Sequence, residues 1–170
     1  MSARRDQSVP VLHGSRTEMN IGKGSHPLPN RTLSRTLRGP SGETAVKIEA
    51  IEVRSGQTVS LTIESANSPW RQGVWLATQG ELSVAGTTSP QFVLWSDTSP
   101  SHIEIEVRTT DGLLRIYNVW DSGRHLGPFE SQSATSGMVV ETMPDGSSRY
   151  SCNDIGTDAN FQKLVFRLSL

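Results

Sequence analysis

From Ala45 onward, apolar and polar residues alternate in short runs with a period of two. In QTVSLTIES, Val59, Leu61 and Ile63 fall on one side, and Ser60, Thr62 and Glu64 on the other. In SHIEIEVRT the same split separates Ile103, Ile105 and Val107 from Glu104, Glu106 and Arg108. Successive side chains leave a strand on opposite faces, so this period predicts strands with one dry and one wet side. Further runs are AVKIEAIEV, QGVWLAT, GELSVAG, QFVLWS, LLRIYNVW, GMVVETM, SRYSC and KLVFRLSL, the last with Leu164, Phe166 and Leu168 inward. No segment carries the 3.6-residue period of an amphipathic helix.

Turn residues punctuate these runs. Arg54-Ser55-Gly56 reads as a short hairpin-like turn, Gly80 as a tight link, and Asp145-Gly146 as a second turn after Pro144. Asp111-Gly112 is the strongest hairpin signal in the chain. The result is about ten strands with turn signals roughly every 8 to 12 residues. That predicts an all-β domain: an antiparallel β-sandwich of jelly-roll or Greek-key type. A closed barrel is the alternative, and spacing alone does not separate the two. No internal repeat points to a propeller or solenoid.

Residues 1–44 read differently. They are rich in Arg, Ser, Gly and Pro, and predict a flexible arm ahead of a sandwich domain at 45–170. Seven basic and three acidic residues give the arm a charge of +4, against nine basic and fourteen acidic residues beyond it. A basic arm on an acidic body fits exchange between copies, so a homo-oligomer is one expectation. The whole chain of 170 residues carries a net charge of only -1. Without aromatic residues among the scattered basic ones, nucleic acid is not an expected partner. Nor is a membrane, since no apolar run has the length of a span. The N-terminus lacks the apolar stretch of a secretory signal. A cytoplasmic location is the default if the chain is complete, and export stays open if it is a piece of a longer protein.

Catalytic signals are sparse. There is no G-x-S-x-G elbow, and the single cysteine, Cys152, has no histidine near it in sequence. His102 and His125 form no metal motif. Glu130 and Glu141 flank a long Gly/Ser-rich loop, and Asp97 and Asp121 follow Trp95 and Trp120. Paired carboxylates beside an indole support a hydrolase or lyase acting on a sugar as an alternative function. At strand ends, though, Asp and Glu more often serve turns.

Tryptophan carries more weight. Alternation places Trp75 opposite Val74 and Leu76, and Trp95 opposite Phe92 and Leu94. If those neighbours fill the core, both indoles face outward as platforms on which a sugar ring could stack. Trp70 follows Pro69 in a loop, whereas Trp120 shares a face with Ile116 and is expected in the core. Trp70, Trp75, Trp95 and Asp97 are therefore the candidate ligand-binding residues. The leading expectation is a non-catalytic, lectin-like domain for carbohydrate or another polar ligand. A structural or self-assembling protein is the second, and the bland reading of these indoles is core filling.

One loop invites a metal. Asn153, Asp154, Asp158 and Asn160 crowd ahead of the last strand, with Gly156 to turn the chain. Oxygen ligands in such a loop suit calcium. The stretch CNDIGTDANFQKLVF resembles the end of bacterial β-sandwich domains. There an Asp/Asn-rich loop runs into a phenylalanine, an acidic pair and a Leu/Val-Val-Phe strand. That resemblance implies extracellular use and calcium. Where the pattern has its acidic pair, this chain has Gln162 and Lys163, so the expected calcium is weak. No other cofactor is expected. The alternative is a polar loop whose side chains bond the backbone. LRIYNVWDSG, SGMVVE and RYSCND also resemble small bacterial proteins of unassigned function. That likeness implies a stand-alone β-sandwich and no particular activity.

Overall fold

The computed structural model describes residues 30–170, which form nine strands and no helix. They are β1 (Asn30–Arg38), β2 (Thr44–Glu52), β3 (Gln57–Ala66), β4 (Arg71–Val84), β5 (Thr87–Trp95), β6 (His102–Asp121), β7 (Gly137–Thr142), β8 (Ser148–Asn153) and β9 (Leu164–Ser169). The all-β expectation holds. The sandwich does not: β2, β7, β8, β9, β3 and β6 follow one another in antiparallel order, and β6 pairs back onto β2. These six strands close a barrel. Three more strands are added outside it, β1 on β2 and the β4–β5 pair on β6.

Closure rests on a bend in β6. Along one edge β6 pairs with β4 from Ile105 to Asp121. Its other edge is divided: residues His102–Val107 pair with β3, and residues 113–116 with β2. Both β2 and β3 are therefore antiparallel to β6 and parallel in direction to each other. Arg54-Ser55-Gly56 is not a hairpin but a corner between them. Its flanks are tied to β6, with Val53 N–H donating to Gly112 C=O at 2.9 Å and Gly56 N–H to Val107 C=O at 2.7 Å.

Asp111-Gly112 likewise does not reverse the chain. Thr78 pairs with Leu114 and Gly80 with Thr109, so β6 advances five residues where β4 advances two. The surplus is a large bulge, which bends a strand and raises its twist. Asp111 satisfies the bulge locally. Its Oδ1 accepts from Thr109 Oγ1 at 2.9 Å and Leu113 N–H at 3.1 Å, and its Oδ2 from Arg115 at 2.6 Å. Opposite the bulge lies Gly80, a bend within β4 rather than a link between two strands. The ten expected strands thus become nine: two pairs merge, into β4 and β6, and β1 is added. The two-residue hairpin is made elsewhere, by Ala85 and Gly86 between Val84 and Thr87, with φ of 48° and 79°. The Asp145-Gly146 turn joins β7 to β8 as expected.

The alternation called the core correctly. Val59, Leu61, Ile105, Val107, Leu164 and Phe166 are fully buried in the barrel, where Tyr150 stacks on Phe166 at 4.6 Å. Part of the expected arm belongs to the fold. β1 lies within it, Leu37 packs with Ala45 and Phe161, and Arg31 pairs with the buried Glu49 at 2.8 Å. Residues 1–29, the remainder of that arm, lie outside the described residues.

The bulge makes a sharp prediction. A Cβ on Gly80, where φ is 138°, would sit 2.1 Å from Arg108 C=O, whereas one on Gly112 would meet nothing closer than 3.8 Å. Gly80→Ala should therefore cost about 3 kcal/mol or more and Gly112→Ala about 1 kcal/mol, compared by urea unfolding.

Candidate binding face

The β4–β5 pair turns one face to the barrel core and one outward. Gln72, Val74 and Leu76 point inward and are buried, so Arg71, Gly73 and Trp75 point outward. Register then fixes their neighbours. Trp75 lies opposite Tyr117 of β6 and Val93 of β5, and Gly73 lies opposite Trp95. Directly opposed residues share a face of the sheet. Trp75 stacks on Tyr117 with centroids 4.5 Å apart and 20° between planes. Trp95 leans over Gly73, where a Cβ would come within 2.9 Å of its ring.

Arg71 completes the group. Its guanidinium lies 4.4 Å from the Trp95 ring centroid, Nε is 2.9 Å from both oxygens of Asp97, and Nη2 donates to Thr98 Oγ1 at 3.3 Å. A cation stacked on an aromatic face and bonded to a carboxylate is held in one orientation. The structure thus brings Trp75, Trp95 and Asp97 together, with Trp70 just before β4, 36% exposed. Trp75 and Trp95 are half-buried, and Asp97 is exposed. Arg71, Gly73 and Tyr117 were not singled out from sequence. Arg71 shares the alternation that put Trp75 outward, but Tyr117 follows only from the β4–β6 register. Trp120 is buried, as expected.

The four candidate metal ligands do not converge. Asn153 and Asp154 are fully buried, and Asp158 and Asn160 are exposed. Asp158 pairs with Lys163 at 3.3 Å, and Asn160 Oδ1 accepts from Gln162 N–H at 3.0 Å. The residues that broke the calcium-loop pattern, Gln162 and Lys163, are the ones that occupy these two side chains. Asn153 Nδ2 donates to Thr135 C=O at 2.8 Å. Asp154 Oδ1, Asn153 Oδ1 and Gln72 Oε1 have no hydrogen-bond partner among the described residues. Of these three groups only Asp154 is a carboxyl, which is few charges for a calcium shell. Among the described residues no three His, Cys, Asp or Glu side chains gather to hold a metal.

Of the carboxylates considered for catalysis, Asp121 lies opposite Arg71, which also holds Asp97, Glu130 bridges back to Trp120, and Glu141 is exposed on β7. Glu130 is bonded by Ser122 and Arg124; burial alone would raise its carboxyl, but those contacts outweigh it and hold the pKa below the ordinary range. Asp97 is held by Arg71, and Asp121 Oδ1 accepts from Gly123 N–H. Burial pushes the Cys152 thiol well up, which disfavours a nucleophilic thiolate. His125 is an exposed loop residue.

The loop before β7 is pinned by a half-buried lysine. Lys47 Nζ donates to Ser133 C=O, to Ser136 C=O at 2.6 Å and to Ser136 Oγ at 3.1 Å, and Gln132 Nε2 donates to Lys47 C=O at 3.0 Å. The same loop supplies the Thr135 carbonyl to Asn153.

The chain matches no protein-family model, no curated protein and no solved structure. The resemblance of its C-terminal stretch to bacterial β-sandwich domains is neither strengthened nor weakened by this.

Two predictions follow from this geometry. Gly73→Ala should lift the Trp95 indole off its bed. A changed near-ultraviolet circular dichroism signal is expected, with a loss of about 1–2 kcal/mol. Desolvation lowers the Lys47 pKa from 10.5 to about 8. Above pH 8 the folded amine loses a proton that the unfolded chain keeps to 10.5, so its contribution to stability rises with pH across that window. Stability of the wild type relative to Lys47→Met should climb from pH 8 to 10.5 in denaturant titrations and stay level below pH 8.

Proposed function

We propose that this chain is a non-catalytic binding domain for carbohydrate or a similar polar ring, taken up on the outward face of β4, β5 and β6. The observation behind this reading is the gathering of Trp75, Trp95, Asp97 and Arg71 on one half-exposed patch, with Trp75 resting on the buried Tyr117. A sugar ring has an apolar C–H face and a rim of hydroxyls. Indole faces suit the former through dispersion and quadrupole contacts. A fixed guanidinium–carboxylate pair suits the latter, because it offers donors and acceptors whose ordering cost is already met. Among the described residues, the Nη1 group of Arg71 keeps its donors free, and Asp97 stays exposed.

The catalytic alternative has less behind it, because the carboxylates of the face and its loops are each tied to a nearby cation or backbone amide. Self-association through the open edge of β5 is disfavoured by Pro90, which removes a ladder donor in mid-strand.

Titration with a panel of neutral and acidic oligosaccharides, followed by tryptophan fluorescence, tests the proposal. A saturable response is expected, weakened about 2- to 10-fold by Trp95→Ala, the usual worth of one stacking contact. Silence across the whole panel would overturn it.

A further inference from the structure

Trp70 lies between strands, yet both of its main-chain polar groups are held. Its N–H donates to Ser68 Oγ at 3.2 Å, and its C=O accepts from Gln72 Nε2 at 3.2 Å. Those two partners meet at a single atom. Ser68 Oγ donates to Asp154 Oδ2 at 2.5 Å, and Gln72 Nε2 donates to the same oxygen at 2.9 Å. Asp154 is 0% exposed and Gln72 1%, against 36% for Trp70.

We infer that Asp154 is a positioning residue that fixes the Trp70 peptide through Ser68 and Gln72, in the turn that leads directly into Arg71 of the binding face. This rests on the reading of that face as a ligand site. The chemistry of position 154 fits the task. Ser68 and Gln72 both present donors, so their shared partner must be an acceptor with lone pairs to spare, which a carboxyl oxygen supplies. The hydroxyl of Ser68 can then give its proton to Asp154 and accept the Trp70 amide, so the three groups form one directed chain. The inner bond of the chain, from Gln72 to Asp154, is buried and shielded from competing water, and the outer ones run from it to the Trp70 peptide.

The anchor also comes from a distant part of the chain. Asp154 follows β8, which pairs with β7 and β9 and not with β4, and Asn67 N–H donates to Lys163 C=O at 2.9 Å. The Trp70 turn is therefore stitched to the 154–163 loop at Ser68, at Gln72 and at Asn67. A tryptophan left to an exposed turn would sample many orientations, and binding would have to restrict them. Asp154 removes the main-chain share of that freedom in advance.

The test uses Asp154→Ala, Ser68→Ala and Trp70→Ala in the full chain. The 15N heteronuclear NOE of the Trp70 amide in the wild type should match those of β4. In Asp154→Ala and in Ser68→Ala it should fall to the level of exposed loops, while the Trp75 and Trp95 indole signals keep their positions. Ser68→Ala leaves the Asp154–Gln72 bond in place and decides the matter if Asp154→Ala does not fold. With whichever oligosaccharide of the panel binds best, Asp154→Ala should weaken affinity about ten-fold and add nothing to Trp70→Ala. An unchanged Trp70 NOE in Ser68→Ala, or effects that add in the double variant, would overturn the inference. If no oligosaccharide binds, the reading of the face fails, and the relaxation measurement still decides the positioning.

Discussion

Strand β6 gives one edge to β4 and divides the other between β3 and β2, which a strand can do only if it turns between its two halves. The turn is the bulge at Thr109–Leu113, and everything else in the architecture answers to it. Without it, β2 and β3 would compete for the same stretch of β6. With it, each finds its own half, the corner at Arg54–Gly56 carries the chain between them, and the far edge of β2 is free to meet β7 at Val46 and Met138. Closure follows, and with closure the exposed edges that an open sheet of this size would carry are reduced to those of β1 and β5. β4 must follow the same bend from outside. That is why its backbone passes so close to Arg108 that only a glycine fits at position 80.

The outward face is a consequence of the same arrangement. β6 is buried on both sides over its second half, with Ile116 and Trp120 toward the core and Tyr117 and Val119 toward the other face. That second apolar face needs cover. Trp75 covers Tyr117, and the half-buried Val93 and Trp95 continue the layer across β5. The aromatic patch is thus partly a lid on β6 and partly a surface. On the proposed reading its stability and its availability to a ligand are coupled, because Trp75 rests on Tyr117 and the Trp95 ring is held against Arg71.

What was legible in the sequence was the local pattern. The inward sets on β3, β6 and β9, the outward setting of Trp75 and Trp95, and the burial of Trp120 all follow from a period of two, which is a property of one strand. What was not legible depended on partners. Asp-Gly signals a reversal when the chain is free to pair with itself. Here the flanking segments are each claimed by a third strand, β4, so the same dipeptide becomes a bulge in a continuous strand. Ala85-Gly86 carries a weaker signal and makes the hairpin, because nothing bridges it. Barrel and sandwich share strand number and spacing, and the pairing of β6 with β2 that distinguishes them leaves no local mark. Tyr117 and Gly73 were missed for the same reason: their role is set by register with a neighbour.

The polar loop before β9 illustrates how composition can mislead about chemistry and still point to the right place. Four oxygen-bearing side chains within eight positions suggested a common ligand. The chain instead sorts them by environment: Asn153 at the end of β8 and Asp154 just after it turn into the protein, and the pair that follows stays in solvent. A buried carboxyl without a cation is costly unless hydrogen bonds hold it, and Asp154 meets that demand at Oδ2 with Ser68 and Gln72, leaving Oδ1 without a partner among the described residues. The two donors it needs happen to flank Trp70. The requirement to satisfy one buried oxygen therefore ties down the turn ahead of β4, and the polarity that looked like a metal site goes into holding the Trp70 main chain.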